Sequence, residues 1–276
     1  MLAVKLLFAA TVAIVALWGT APIHAADFDH RHTAWNTLLQ QHVRWINDGV
    51  ASQVDYAGFK ADQKPLDNYL ESLSAVPAET FDSWSSAKRL AFLINAYNAY
   101  TLSLILTKYP DLDSIKDLGS LFSSPWKKMF FSLLGKPRSL DTVEHGMIRA
   151  PGVYDDPRIH MAVNCAAIGC PALRDEAYRG DRLDAQLDDA VARYLKDRTR
   201  NRYNAARRTI EAGKIFDWYA EDFEKGYRGI SSLKQFFARH ADHLTDVPAQ
   251  RRLIRNQQSD ISFTPYDWRL NARRQP

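Results

Sequence analysis

Apolar positions recur at helical spacing along much of the chain. Over 28–50, Trp35, Leu38, Leu39, His42, Val43 and Ile46 share one side of a helix, and Asn47-Asp48-Gly49 ends it. Val54-Asp55-Tyr56 reads as extended, and 66–75 as a short helix before Pro77. Ser85 or Ser86 caps a long helix over 87–108, which Tyr109-Pro110 terminates. Its buried stripe is Leu90, Leu93, Ile94, Tyr97, Thr101, Leu104 and Ile105, and the opposite side is also largely apolar. Segment 114–131 carries little pattern, and Ser139-Leu140-Asp141 opens a further helix that stops before Pro151.

The second half mixes periods. Asp155-Asp156-Pro157 marks a turn, and 159–163 has the alternation of a strand. Residues 183–197 form an amphipathic helix with Leu183, Leu187, Val191 and Leu195 on one stripe. Residues 201–214 suit a hairpin, 231–243 a helix capped by Ser231 or Ser232, and 261–263 a last strand before Pro265-Tyr266-Asp267-Trp268. Alternating strand and helix units are absent, so the pattern predicts a helix-rich α+β single domain with a small sheet over 26–276.

The N-terminus departs from this pattern. Lys5 precedes thirteen residues, Leu6 to Trp18, interrupted only by Thr11, and Ile23-His24-Ala25 follows the break at Gly19 to Pro22. That order is expected of an export signal over 1–25, giving a periplasmic or secreted product. The apolar run falls short of the about 20 residues a membrane helix needs, so no integral span is expected in the mature chain. Cleavage after Ala25 removes Lys5 alone among charged residues, taking the formal charge from +4 to +3. The densest basic stretch, Arg198 to Arg208, is then a solvated turn rather than a nucleic-acid surface.

Several polar groups stand in apolar surroundings. Asn95 and Asn98 lie three apart on the long helix, and a buried amide left unpaired costs about 1–3 kcal/mol, so each ties the helix to neighbouring backbone or faces a cleft. Asp141 to Glu144 has capping-box spacing, which alone accounts for Glu144, and His145 points about 100° away from it round the helix. On a strand over 159–163, His160, Ala162 and Asn164 share one face, and Cys165 joins it only if the strand ends or bulges at Asn164. Asp156 and Arg158 flank a proline turn and suit each other as partners, and the terminal aromatic segment is expected to dock on the core and to offer Asp267. There is no Gly-rich phosphate loop, serine nucleophile elbow or His-Glu-x-x-His.

Both cysteines, Cys165 and Cys170, fall in this stretch and admit three accounts. They form a disulfide, as an even count in an exported protein suggests. Alternatively one thiolate is a nucleophile served by His160 or His145 and oriented by Glu144 or an asparagine. In the third account, thiolates and a histidine bind zinc, although Cys-x4-Cys is looser than the usual structural spacing.

The segments Asn95-Ala96-Tyr97-Asn98, Glu144-His145, Asp156-Pro157-Arg158-Ile159-His160, Asn164-Cys165, Cys170-Pro171, Trp218-Tyr219, Asp222-Phe223, Tyr266-Asp267-Trp268 and Leu270-Asn271 together resemble domain of unknown function family number 547, found in exported bacterial proteins and in plant proteins. The resemblance spans about 92–271, carries no established reaction, and implies that its shared polar residues gather round one cleft. It also implies that serine can replace Cys170 while Cys165 is kept, which favours Cys165 as nucleophile. The expected activity is thiol-dependent acyl transfer or amide hydrolysis: Cys165 attacks, His160 is the base, Glu144 and His145 orient or charge the site. Asn95, Asn98, Asn164, Arg158 and Asp267 would contact a small-molecule or peptide substrate. This reading calls for no cofactor, metal or nucleic acid. The competing expectation is a non-catalytic binding module stapled by a Cys165–Cys170 disulfide.

Overall fold

The computed structural model describes residues 28–120 and 123–273. The expected export signal over 1–25 lies outside the described residues. In chain order come α1 (Thr33–His42), β1 (Val43–Ile46), β2 (Ala51–Val54), α2 (Tyr56–Ala61), α3 (Gln63–Ser74), α4 (Ala78–Asp82) and α5 (Ser86–Leu106). Then follow β3 (Phe131–Leu133), β4 (Lys136–Arg138), α6 (Leu140–Val143), α7 (Leu183–Lys196), β5 (Arg202–Asn204) and β6 (Thr209–Ala212). The chain closes with α8 (Ile215–Trp218), α9 (Ala220–Glu224), α10 (Leu233–Arg239), α11 (Ala241–Leu244), α12 (Pro248–Arg255) and β7 (Asp260–Phe263). About 49% of the described residues are helical against 12% in strands and bridges, which makes the fold helix-rich α+β. The strands form two two-stranded hairpins, β1–β2 and β3–β4, and a three-stranded sheet in which β6 pairs antiparallel with β5 and parallel with β7. No described helix is long and apolar enough to cross a membrane.

Helix α5 forms where its pattern predicts, with the Ser85 hydroxyl accepting from the Lys88 N–H. It is buried nearly all round because it runs through the larger of two apolar clusters, against Phe59, Leu66 and Leu140. The second cluster gathers Phe216, Phe223, Phe236 and Phe237 with Val191 and Leu195 of α7. Each such ring contributes roughly 1.5–3 kcal/mol by leaving water.

Three expected elements differ. The helix read over 28–50 stops at His42, and Val43 to Ile46 pairs with Ala51 to Val54. Val43, Trp45 and Ile46 favour a strand, and Asn47, Asp48 and Gly49 all take positive φ (51°, 56° and 80°), so the expected helix stop is a hairpin turn. The expected strand over 159–163 is instead a 3-10 helix, Pro157–Met161. Asp156 accepts from the Arg158 N–H at its start and Pro157 occupies the first turn. Every residue from Pro157 to Asn164 is buried, and an apolar run buried on all sides has no period to separate strand from helix. The helix expected over 231–243 breaks at His240 into α10 and α11, and α12 follows unforeseen.

Candidate active site

A cavity of about 310 Å³ opens between the two apolar clusters. Tyr97 and Val163 reach it from the α5 side, Ile215, Tyr219 and Tyr266 from the other. Its polar lining includes Glu144, His145, His160, Cys165 and Cys170, and Trp126, Trp218 and Trp268 wall its aromatic side.

Glu144 and His145 arrive through a local irregularity. The Ser139 hydroxyl, not Asp141, caps α6 by accepting from the Thr142 N–H, so the capping-box account of Glu144 fails. After one turn the helix widens to π geometry over Glu144–Ile148, closed by the Arg149 N–H on the Glu144 carbonyl at 2.9 Å. The buried Glu144 carboxylate accepts from the Tyr219 hydroxyl at 2.8 Å. Burial, reinforced by that carboxylate's charge, pushes the Tyr219 phenol far above its ordinary value. His145 is nearly half exposed, with Nε2 3.9 Å from both Glu144 and Asp141. Its Nδ1 meets the Arg149 guanidinium, which can only donate, so Nδ1 is unprotonated and Nε2 carries the hydrogen.

His160 lies fully buried on the 3-10 turn, its ring stacked on Tyr219 at 3.9 Å. Its Nε2 meets Asp222 Oδ2 at 2.7 Å, and Asp222 also accepts from Arg149 Nε and Lys225 Nζ, each at 2.6 Å. Burial opposes ionisation of Asp222, but the hydrogen bonds from His160, Arg149 and Lys225 outweigh it and hold the carboxyl far below its usual range. An ionised Asp222 fixes the proton of His160 on Nε2. Burial lowers the imidazole's affinity for a second proton, so Nδ1 is a buried acceptor with no partner.

The cysteines sit on a loop shaped by asparagines. Asn98 donates to the Ala162 carbonyl (3.0 Å) and accepts from the Asn164 N–H (2.8 Å). Asn164 in turn accepts from the Ala166 N–H (2.9 Å) and donates to the Pro171 carbonyl (2.7 Å), joining the two ends of the loop. Ala166 has φ 64°, a left-handed conformation that costs an alanine about 1–2 kcal/mol and that this bridging sustains. Within the loop the Cys165 N–H donates to Cys170 Sγ at 2.9 Å, and Cys165 Sγ lies 3.0 Å from the Tyr266 hydroxyl. Both thiols are free; Cys165 is partly exposed and Cys170 buried beneath it. The hydrogen bond with Cys170, then burial, raises the Cys165 thiol well above its ordinary value. Burial also works against Cys170, but hydrogen bonds from the Cys165 thiol, Tyr266 and the Cys165 N–H, with the charge of Arg200, lower it. The shifts run in opposite directions, so Cys170 is the more readily ionised of the pair and Cys165 the less.

The sequence expectations sort accordingly. Glu144, His145, His160 and Cys165 do line one cavity, but the Cys165–His160 dyad is not formed: the imidazole engages Asp222 and the thiol engages Tyr266. Asn98 and Asn164 build the thiol loop rather than line the cavity. Asn95 is satisfied on both sides by the Tyr178 backbone, and Arg158 is bound by Asp156, Asp184 and Asp188 away from the cavity. Asp267 pairs with Arg269, and its neighbour Tyr266 supplies the polar contact instead. Among the described residues no three His, Cys, Asp or Glu side chains converge as metal ligands. Sequence reasoning passed over Arg149 and marked the Trp218-Tyr219 segment without giving Tyr219 a place in the site; the aromatic Tyr266-Asp267-Trp268 cluster was the trace that pointed to Tyr266.

The segment from the end of α4 to α7 holds the π turn, the 3-10 turn and both thiols. Residues 81–195 match the family model described as Protein of unknown function, DUF547. The DUF547 match thus covers Asn95 to Cys170 among the site residues, while Tyr219, Asp222 and Tyr266 lie beyond it. No curated protein and no solved structure matches the chain.

Proposed function

We propose that this cavity carries out thiol-dependent acyl transfer or amide hydrolysis, with Cys165 as the attacking sulfur. The observation that carries the reading is the partly exposed, unbonded Cys165 thiol on a cavity wall, with a proton-accepting sulfur behind it and a hydroxyl beside it. Cys165 passes its proton to Cys170 as it attacks the acyl carbon, and Tyr266 donates to the developing oxyanion. Cys170 returns that proton to the leaving group and then accepts one from the attacking water, while His160, oriented by Asp222 with its Nδ1 buried, holds the Tyr219 ring stacked on it. His145, with a hydrogen on Nε2 and an exposed edge, hydrogen-bonds to the leaving group without giving that hydrogen up.

The test is turnover of a panel of amides and thioesters by the mature chain and by Cys165→Ser. Turnover abolished with an unchanged melting temperature is expected; turnover that survives the substitution would overturn the assignment. Mass of the exported chain, expected to begin at Ala26, tests the periplasmic or secreted location that goes with it.

A second reading, a non-catalytic binding module, is favoured by Trp218, 45% exposed and stacked on Trp268 at 5.7 Å. Such a platform suits a flat or ring-shaped ligand. It requires a ligand whose binding is indifferent to Cys165→Ser, with no substrate turned over.

A further inference from the structure

The arrangement of the two sulfurs supports a second chemistry that needs no acyl group. Both residues line the cavity, Cys165 partly exposed and Cys170 buried at 4% exposure, with the Cys165 N–H on the Cys170 sulfur at 2.9 Å. An accessible thiol with a second one buried against it can attack a foreign disulfide and then resolve the adduct. The side chain of Asn164 ties Ala166 at one end of the loop to Pro171 at the other, so the two sulfurs stay in register whichever bond they make. Tyr266 adds a hydroxyl at 3.0 Å from Cys165, a donor that stabilises a sulfur anion at this point.

We infer that Cys165 and Cys170 form a dithiol that reduces a low-molecular-weight disulfide bound in the cavity. Cys165 gives its proton to the ionised Cys170 sulfur as it attacks one substrate sulfur; the substrate S–S bond breaks and a mixed disulfide forms on Cys165. The first product leaves as a thiolate and takes up that proton. Cys170, as thiolate, attacks Cys165 Sγ, closing the Cys165–Cys170 disulfide and expelling the second product, which is protonated in turn. Counted from two protonated thiols, the protein loses two electrons and two protons, and the substrate gains both to become two thiols. A cavity of about 310 Å³ walled by Trp126, Trp218 and Trp268 fits a small disulfide and not a folded protein. The thiolate bias toward Cys170 described above equips the buried sulfur for the resolving step.

The experiment uses the full mature chain, reduced and freed of reductant, with oxidised glutathione as probe and intact mass as readout. Wild type is expected to lose two hydrogens and to carry no adduct, Cys170→Ser to retain one glutathione, and Cys165→Ser to remain unmodified. A persistent glutathione on wild type, or no reaction in the folded wild-type protein, would overturn the inference without requiring either variant to fold. Modification of Cys165→Ser as fast as wild type would equally overturn it. No acyl substrate is present, so this result is separate from the fate of the acyl-transfer reading.

Discussion

The hydroxyl of Tyr266 lies 3.0 Å from the sulfur of Cys165, across 101 positions of the chain. Backbone pairing between the thiol loop and the C-terminal segment sets that contact: the Gly169 N–H donates to the Asp267 carbonyl and the Ile168 N–H to the Arg269 carbonyl. The terminal segment is therefore a wall of the cavity.

Gly169 is the weak point of that wall. A Cβ built there falls 2.9 Å from the Asp267 nitrogen and from the Tyr266 ring, closer than packed atoms come. Gly169→Ala is expected to destabilise by about 1–3 kcal/mol, as overpacking does, and to push Tyr266 away from Cys165. Faster alkylation of Cys165 together with a lower melting temperature would bear this out; an unchanged alkylation rate would show that Tyr266 does not shield the thiol.

Asn98 holds the backbone on both sides of Val163. Asn98→Ala leaves the Ala162 carbonyl and the Asn164 N–H unpaired in the interior, about 1–3 kcal/mol each, so a loss of roughly 2–6 kcal/mol is expected in urea denaturation. Asn98→Asp, which keeps the acceptor and loses the donor, should fall between the two. A loss under about 1 kcal/mol for alanine would mean that water replaces the amide.

The start of α6 separates two assignments of its cap. Ser139→Ala should cost about 1 kcal/mol, the usual value for a lost N-cap, whereas Asp141→Ala should stay within about 0.5 kcal/mol. Equal costs in thermal melts would restore Asp141 as the capping residue.

His32 predicts an acid limit to stability. It is 2% exposed, its Nδ1 meets the Tyr69 hydroxyl at 2.8 Å, and burial lowers its pKa to about 3. Between that value and the unfolded value near 6.5, the unfolded chain binds a proton that the folded chain refuses. Stability is therefore full above about pH 6.5 and falls as pH drops toward 3, by up to about 1.4 kcal/mol per pH unit from this group. His32→Asn suits the left-handed backbone at φ 51° and removes the titration, so its unfolding free energy should fall less steeply across that window. Parallel pH profiles for the two proteins would exclude His32 as the cause.

Much of the frame was legible from local pattern. Helices α5 and α7 follow from apolar periodicity, their bounds shifting by two residues or fewer, and Ser85 and Ser232 cap the helices they precede. The hairpin of β5 and β6 and the last strand, β7, were readable from turn residues and β-branched runs. Periodicity was silent where burial is complete, which is why the Pro157–Met161 turn read as a strand. It also carried the first helix too far, because His42 and Val43 fit either period until the hairpin decides.

For the candidate site, the sequence by itself determined which chemistry is on hand: two thiols, the Glu144-His145 pair, His160 and the asparagines set in apolar runs. It did so because a polar group in an apolar segment must find a partner or a cavity. Only the tertiary structure decided who the partners are. His160 meets Asp222 across 62 positions and Cys165 meets Tyr266 across 101, separations that no local period encodes. The meeting of Cys165 with Cys170 depends on a left-handed Ala166 and on the Asn164 bridge across the loop. Those contacts arise from packing two apolar clusters against each other, and that packing sets which polar groups share the cavity.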